Sequence, residues 1–183
     1  MNRTAFYSPQ DFLSEVIEPA LCLLNDEIGY SKAASQLLLG TAIHESMGLR
    51  YRKQIGGPAL GLFQMEPATH GDIWNNFLAY RNTLAETVRS LRKKSGESAD
   101  ELENNDLYAA AMARVHYYRI GQIVAKSEIP DFDNLNSQSL YWKRHHNTPL
   151  GAGTPSKYRA DWQSYHATGL KYSDQCEAKN ATS

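Results

Sequence analysis

The sequence predicts a mostly α, single-domain protein with room for one small β-hairpin. Helix-start signals recur along the chain, apolar residues follow them at helical spacing, and no stretch shows strand-like alternation. At 183 residues the chain can bury one real core and has little left for a second. Ser8-Pro9 pairs a cap with a proline at the first helical position, and Gln10 to about Ile28 carries the helical pattern, with Pro19 set to kink or divide it. Ser31 caps a second helix that runs to about Met47 and stops at Gly48. Residues 50–66 read as a loop, because Gly56, Gly57, Pro58 and Gly61 crowd together there, and the hairpin would lie in it. Pro67 starts a third helix that breaks near Tyr80, and a fourth reaches Lys94. The polar stretch Lys93 to Asn105 reads as an exposed connection. A long helix covers Asp106 to about Ile120, 121–138 is loop-like, and a short helix covers Leu140 to about His146. Thr154-Pro155 opens a last helix ending near Thr168, and residues 171–183 form a polar tail.

Composition narrows the function. With 42% hydrophobic and 21% charged residues the chain is not of a disordered class. Lys and Arg number 19 against 20 Asp and Glu, so no overall basic field exists to hold nucleic acid, and an anionic ligand must meet local basic clusters. No apolar run approaches the roughly 20 residues that span a bilayer. The N-terminal stretch MNRTAFYSPQDF lacks an apolar signal core, so the chain is expected to be made in a cytoplasm with no export signal of its own. Cys22 sits in an apolar run and reads as a small buried hydrophobe, with little support for pairing to the distant Cys176. His145 and His146 are adjacent, so on a helix they point apart, and no third ligand is spaced with them. Neither a metal nor a cofactor is expected.

The sharpest chemical signal is Glu45. Ala34, Leu37, Leu38, Thr41 and Ala42 form one stripe of the second helix, and at about 100° per residue Glu45 falls on it, in the last turn. Partial burial disfavours the carboxylate anion, and so does the negative end of the helix dipole. A carboxyl that keeps its proton near neutral pH can protonate a leaving oxygen. The bland alternative is a helix-end Glu satisfied by loop amides. The loop that follows, ALGLFQMEPATH from Ala59 to His70, adds Gly61 for close backbone approach, Gln64 as donor and acceptor, and Glu66 as a second carboxylate before a helix start.

These residues resemble the lytic transglycosylase and goose-type lysozyme group of the lysozyme superfamily. That group has a helix ending in Glu-Ser, then a loop, then Gly-Leu-Met-Gln and Pro-x-Thr. Here the matching positions are Glu45-Ser46, Gly61-Leu62-Phe63-Gln64 and Pro67-Ala68-Thr69, in the same order and at similar spacing. The run from Glu45 to Glu66 is similar to phage-encoded lysozyme-like proteins. The resemblance is clear over residues 42–74 and weaker over 107–162. It implies a lysozyme-like catalytic domain over residues 1–170, acting on bacterial peptidoglycan glycan strands as a monomer. It further implies Glu45 as the catalytic acid, with Gln64 and the Gly61-Leu62-Phe63 backbone as a sugar-binding loop beside Ser46. The later Ala-Tyr-Asn-Ala-Gly motif of the transglycosylases is missing; Ala110-Ala111-Met112-Ala113-Arg114 stands nearest to it. For a wall enzyme without an export signal, the implied route is a phage endolysin or delivery with a virion.

Further candidates lie downstream. Arg114 falls on the apolar stripe of the long helix, which calls for a partner: Glu45, Glu66, a substrate carboxylate, or a purely structural ion pair. Tyr117, Tyr141, Trp142 and Asn147 suit sugar faces and hydroxyls, against a plain packing role, and Lys143, Arg144, His145 and His146 suit the carboxylates of a wall polymer. Tyr158, Trp162 and Tyr165 recur at helical spacing and read as core. Two outcomes for the chemistry stay open. Either Glu45 acts alone and the substrate's own 6-hydroxyl closes on C1, or a second carboxylate positions water, with Glu66 ahead of Asp72 for that role. A different class, a wall-binding or virion structural protein on the same scaffold, also remains.

Overall fold

Ser8 and Ser31 do what their positions predict. The Ser8 hydroxyl accepts from the Asp11 amide and opens α1 (Pro9–Phe12). The Ser31 hydroxyl accepts from the Ala34 amide and opens α4 (Lys32–Glu45). The computed structural model describes residues 4–93, 98–124, 127–147 and 152–176. Between α1 and α4 lie a π turn (Leu13–Ile17), α2 (Glu18–Leu23) and α3 (Asn25–Ile28). The helical stretch is divided at Pro19, as expected: proline brings no N–H and its ring crowds the carbonyl four residues back, so the chain widens into a π turn just before it.

After the loop come α5 (Pro67–Asn76), a 3₁₀ turn (Leu78–Tyr80), α6 (Asn82–Ser90), α7 (Glu101–Asn104) and α8 (Asp106–Ile123). Then follow α9 (Leu135–Trp142), a second π turn (Lys143–Asn147) and α10 (Pro155–Ser164). The architecture is mostly helical and forms a single domain. The glycine loop carries two isolated antiparallel bridges, Lys53 to Leu60 and Leu60 to Met65, in place of a full hairpin among the described residues. No helix among the described residues is long and apolar enough to cross a membrane.

The centre is α4. Every residue from Ala34 to Ile43 is buried, so the expected one-sided stripe is corrected to a helix covered on all faces. Its neighbours are α1, the first π turn, α8, α9 and α10. Gly40 lets α10 approach: a Cβ there would lie 2.0 Å from the Tyr158 hydroxyl oxygen. Beyond Glu45 the chain reverses through three consecutive left-handed residues, Met47, Gly48 and Leu49, with φ of 54°, 77° and 60°.

Several expectations are corrected. The connection before α8 is not exposed throughout, since Glu101, Leu102 and Asn105 are buried. Glu101 accepts from the Asn105 side chain (3.0 Å) and the Lys93 amide (3.2 Å). Residues 121–138 are not all loop: α8 continues to Ile123 and α9 begins at Leu135. The expected polar tail is attached as far as Cys176. Lys171 exchanges hydrogen bonds with the Gln10 side chain, and the Ser173 amide and hydroxyl both donate to the buried Glu18 carboxylate (2.8 and 2.9 Å). Cys22, expected to be a free buried hydrophobe, is disulfide-bonded to Cys176 across 154 residues of sequence. Residues 177–183 of the tail lie outside the described residues.

A crosslink spanning so much of the chain restricts the unfolded ensemble strongly, and native disulfides contribute about 2–5 kcal/mol. Reduction, or Cys22→Ser, is expected to lower the urea midpoint by a corresponding amount. An unchanged midpoint would mean that the Glu18–Ser173 and Gln10–Lys171 bonds hold the tail without it.

Candidate active-site cleft

The C-terminus of α4, the glycine loop, the start of α5, the middle of α8 and the second π turn converge on one cleft of about 680 Å³. Among its lining residues are His44, Glu45, Gln64, Glu66, His146 and Asn147. The loop's position is fixed by its backbone. Leu60 and Met65 exchange N–H···O bonds of 3.0 Å, and the Gly61 amide donates to the Arg52 carbonyl at 2.7 Å. Arg52 is clamped in turn to Asp106 at the start of α8. Gly61 has φ +73°, and a Cβ on it would stand 2.2 Å from the Leu102 carbonyl oxygen. That oxygen is backbone and cannot swing away, so no other residue fits. Gly61→Ala is therefore expected to cost more than about 2 kcal/mol, read from thermal melts, because strain and clash coincide. A melt within a degree of wild type would refute this packing.

Glu45 lies at the floor of the cleft, with its side chain 16% exposed. Its Oε1 accepts from the Trp142 indole N–H at 2.9 Å. Burial raises its pKa, while nearby His44 and the Trp142 bond pull the other way and only partly offset it. His146 stands 3.7 Å from the same oxygen, but its Nε2 also lies 3.0 Å from the Phe63 carbonyl oxygen. A carbonyl only accepts, so that nitrogen carries the proton. Burial pushes the His146 imidazole down to about 4, so it is neutral near pH 7 and the Glu45 contact is not an ion pair. His116 behaves alike: its Nε2 donates to the His145 carbonyl at 3.0 Å, and burial lowers it to about 3. The Nδ1 atoms of both rings are buried without a partner.

Gln64 occupies a left-handed conformation (φ 47°) and spends its amide N–H groups on the Gly61 and Tyr51 carbonyls (2.6 and 3.3 Å). Its carbonyl oxygen is what remains for a ligand. Glu66 is exposed at the rim, where it opens α5 with no side-chain capping bond. Asp72 is not among the lining residues. Hydrogen bonds from Asn76 and Arg119 hold its carboxyl below the usual range, and it is spent on positioning Arg119, which does line the cleft.

Of the residues expected at the site, Glu45, Glu66, Gln64 and Asn147 come together at the cleft surface. Asn147 accepts from the Lys143 ammonium at 2.8 Å. The others stand behind it. Ser46 is fully buried, donating to the Ala42 carbonyl (2.6 Å) and accepting from the Leu49 amide (2.9 Å), so it shapes the turn after Glu45 and does not meet a ligand. Leu62 and Phe63 are buried beneath the loop. Tyr117 and Tyr141 are buried side by side, with their hydroxyls on Thr41 (2.8 Å) and the Ser127 carbonyl (3.0 Å). The Arg114 expectation is corrected: its guanidinium reaches the Gly29 carbonyl (3.3 Å) and not Glu45 or Glu66, and burial lowers it to about 10.

Sequence reasoning set Trp142 between groove and core, and it is both: fully buried, yet bonded to Glu45. It missed His44, whose Nδ1 lies 2.7 Å from Asp161 of α10. A signal existed. Asp161 sits on the Tyr158–Trp162–Tyr165 stripe, and a carboxylate on a buried stripe needs a partner. Among the described residues no group of His, Cys, Asp and Glu is arranged to hold a metal ion.

The two neutral histidines predict acid sensitivity. Each would titrate near 6.5 if unburied, and folding lowers that to about 4 and about 3. Their contribution to stability is complete above about pH 6.5 and drains away as pH falls from there through about 4 for His146 and about 3 for His116. Urea midpoints should fall steadily over that window, and His146→Gln should flatten the slope. Equal slopes in wild type and variant would contradict the assigned protonation of His146.

Comparison with protein-family models, with curated proteins and with solved structures finds no match to this chain.

Proposed function

We propose that the chain is a peptidoglycan glycosidase that cleaves the MurNAc–GlcNAc β-1,4 bond with Glu45 as general acid, as a lytic transglycosylase or a muramidase. The observation that carries this is the state of one carboxyl group. Glu45 is sheltered, its pKa is raised by burial, and it opens onto a cleft of ligand size. Because Oε1 is taken by Trp142, the transferable proton belongs on Oε2. Protonating the glycosidic oxygen from there lets the bond break toward an oxocarbenium-like sugar, and the resulting carboxylate is held by the same indole N–H. The strained Gln64 backbone and the fixed glycine loop supply a rigid wall for the sugar.

The motif order Glu45-Ser46, Gly61-Leu62-Phe63-Gln64 and Pro67-Ala68-Thr69 supports the same reading. So does the Cys22–Cys176 disulfide, a bond typical of oxidising compartments outside the cytoplasm. A phage-encoded chain reaching the wall as an endolysin or with a virion would meet such conditions there.

Turbidity of purified peptidoglycan tests the proposal. Wild type should clear it, and Glu45→Gln should lose about 10²–10⁴-fold in rate with its near-UV circular dichroism unchanged. The wild-type rate should also fall as pH rises past the raised Glu45 pKa, since only the protonated form acts. A folded Glu45→Gln that clears as fast as wild type removes Glu45 from the mechanism. A wild type that binds the polymer without clearing it would instead make the chain a non-catalytic wall-binding or virion protein.

A further inference from the structure

Behind the acid stands a second, differently built pair. His44 directly precedes Glu45 on α4, and both line the cleft. The His44 Nδ1 lies 2.7 Å from Asp161 Oδ2, with the two side chains only 10% and 8% exposed. Lys157 holds the other Asp161 oxygen. The Asp161 carboxylate accepts from Nδ1, so a His44 ring that carries one proton holds it there and leaves a lone pair on Nε2. Its ring is edge-on to Trp142 at 4.5 Å, which fixes its plane. Gly153, a lining residue, leaves the nitrogen room: a Cβ there would stand 3.0 Å from His44 Nε2. A base oriented by a buried carboxylate, its free lone pair beside an open cleft, is the arrangement that accepts a proton from water. Glu66, the other candidate, is exposed at the rim with no capping bond to orient it.

We propose that His44, oriented by Asp161, is the base that delivers water to the sugar, so that the chain is a hydrolase. This rests on the reading of Glu45 as the acid. Glu45 gives its proton to the departing 4-oxygen and the C1–O bond breaks. Water bonds to C1, and its proton passes to His44 Nε2. The imidazolium is balanced by Asp161, and proton exchange with solvent restores both groups. The net reaction adds one water across the bond. Trp142 contacts both groups, its indole N–H on Glu45 and its ring against His44, and so keeps acid and base at a fixed spacing.

Mass spectrometry of the muropeptides released from purified peptidoglycan tests this. Wild type should yield normal reducing ends. His44→Ala should lower their yield by about 100-fold, leave any anhydro products (lighter by one water) undiminished, and regain reducing ends when imidazole is added. Asp161→Asn, which keeps its shape, should fall between the two and also serves if His44→Ala does not fold. Mainly anhydro products from wild type would overturn the inference. So would a folded His44→Ala or Asp161→Asn variant whose reducing-end yield matches wild type. A wild type inert toward the polymer would overturn the Glu45 reading itself, whereas each of the preceding results leaves that reading standing.

Discussion

The site depends on the burial of α4. A helix covered on every face has nowhere to send a carboxyl group except out through its end, and Glu45 is its last residue. There the group meets the dipole's negative end, a largely buried setting and one side-chain donor, the Trp142 indole. One neutral hydrogen bond does not compensate for removing an anion from water, so the group keeps its proton to higher pH. A cationic partner at the same oxygens would undo this. His146, 3.7 Å away, is held neutral by its own burial, which outweighs the opposing effect of its hydrogen bond to the Phe63 carbonyl. Trp142 and His146 thus shelter Glu45 without supplying a positive charge from His146.

Strain collects around that floor. Met47, Leu49 and Gln64 hold left-handed backbone without being glycine, and each costs of order 1 kcal/mol or more. All three lie in the chain between the end of α4 and the start of α5. The second π turn closes the opposite wall and sets His146 and Asn147 at the cleft while Trp142 goes under it. The surrounding packing must hold these conformations, and it does so through the buried Ser46 bonds, the Arg52–Asp106 clamp and the close fit of Gly61 on α7.

What was legible in the sequence follows from range. Caps and proline starts act within four residues, so Ser8, Ser31, Thr154 and Pro67 place their helices well. Glu45 was legible because a helix end and an apolar neighbourhood are both local. The Gly61–Gln64 loop was legible as a site wall, but its division into buried Leu62 and Phe63 and a cleft-facing Gln64 was not. Contacts between distant segments were the hard part. Cys22 with Cys176, Glu18 with Ser173 and His44 with Asp161 join positions that no spacing rule connects. Arg114 shows the converse: its stripe correctly called for burial, but a helix face does not say which neighbour supplies the acceptor, and that proved to be Gly29.

Two buried carboxyl groups one helix apart show how environment assigns roles. Glu45 has one neutral donor and a pKa raised by burial, which suits giving a proton. Asp161 has an ammonium on one oxygen and an imidazole on the other, which suits supporting a positive charge as it forms. Both are positioned by the contact of α4 with α10, where Gly40 admits Tyr158 and brings the helices close. Any residue larger than glycine at 40 would push Tyr158 and α10 outward, drawing Asp161 from His44 and disturbing Trp142, whose ring packs on Tyr158. Glu45 and His44, neighbours on α4, are thus oriented by side chains of two other helices, Trp142 of α9 and Asp161 of α10, that pack against each other.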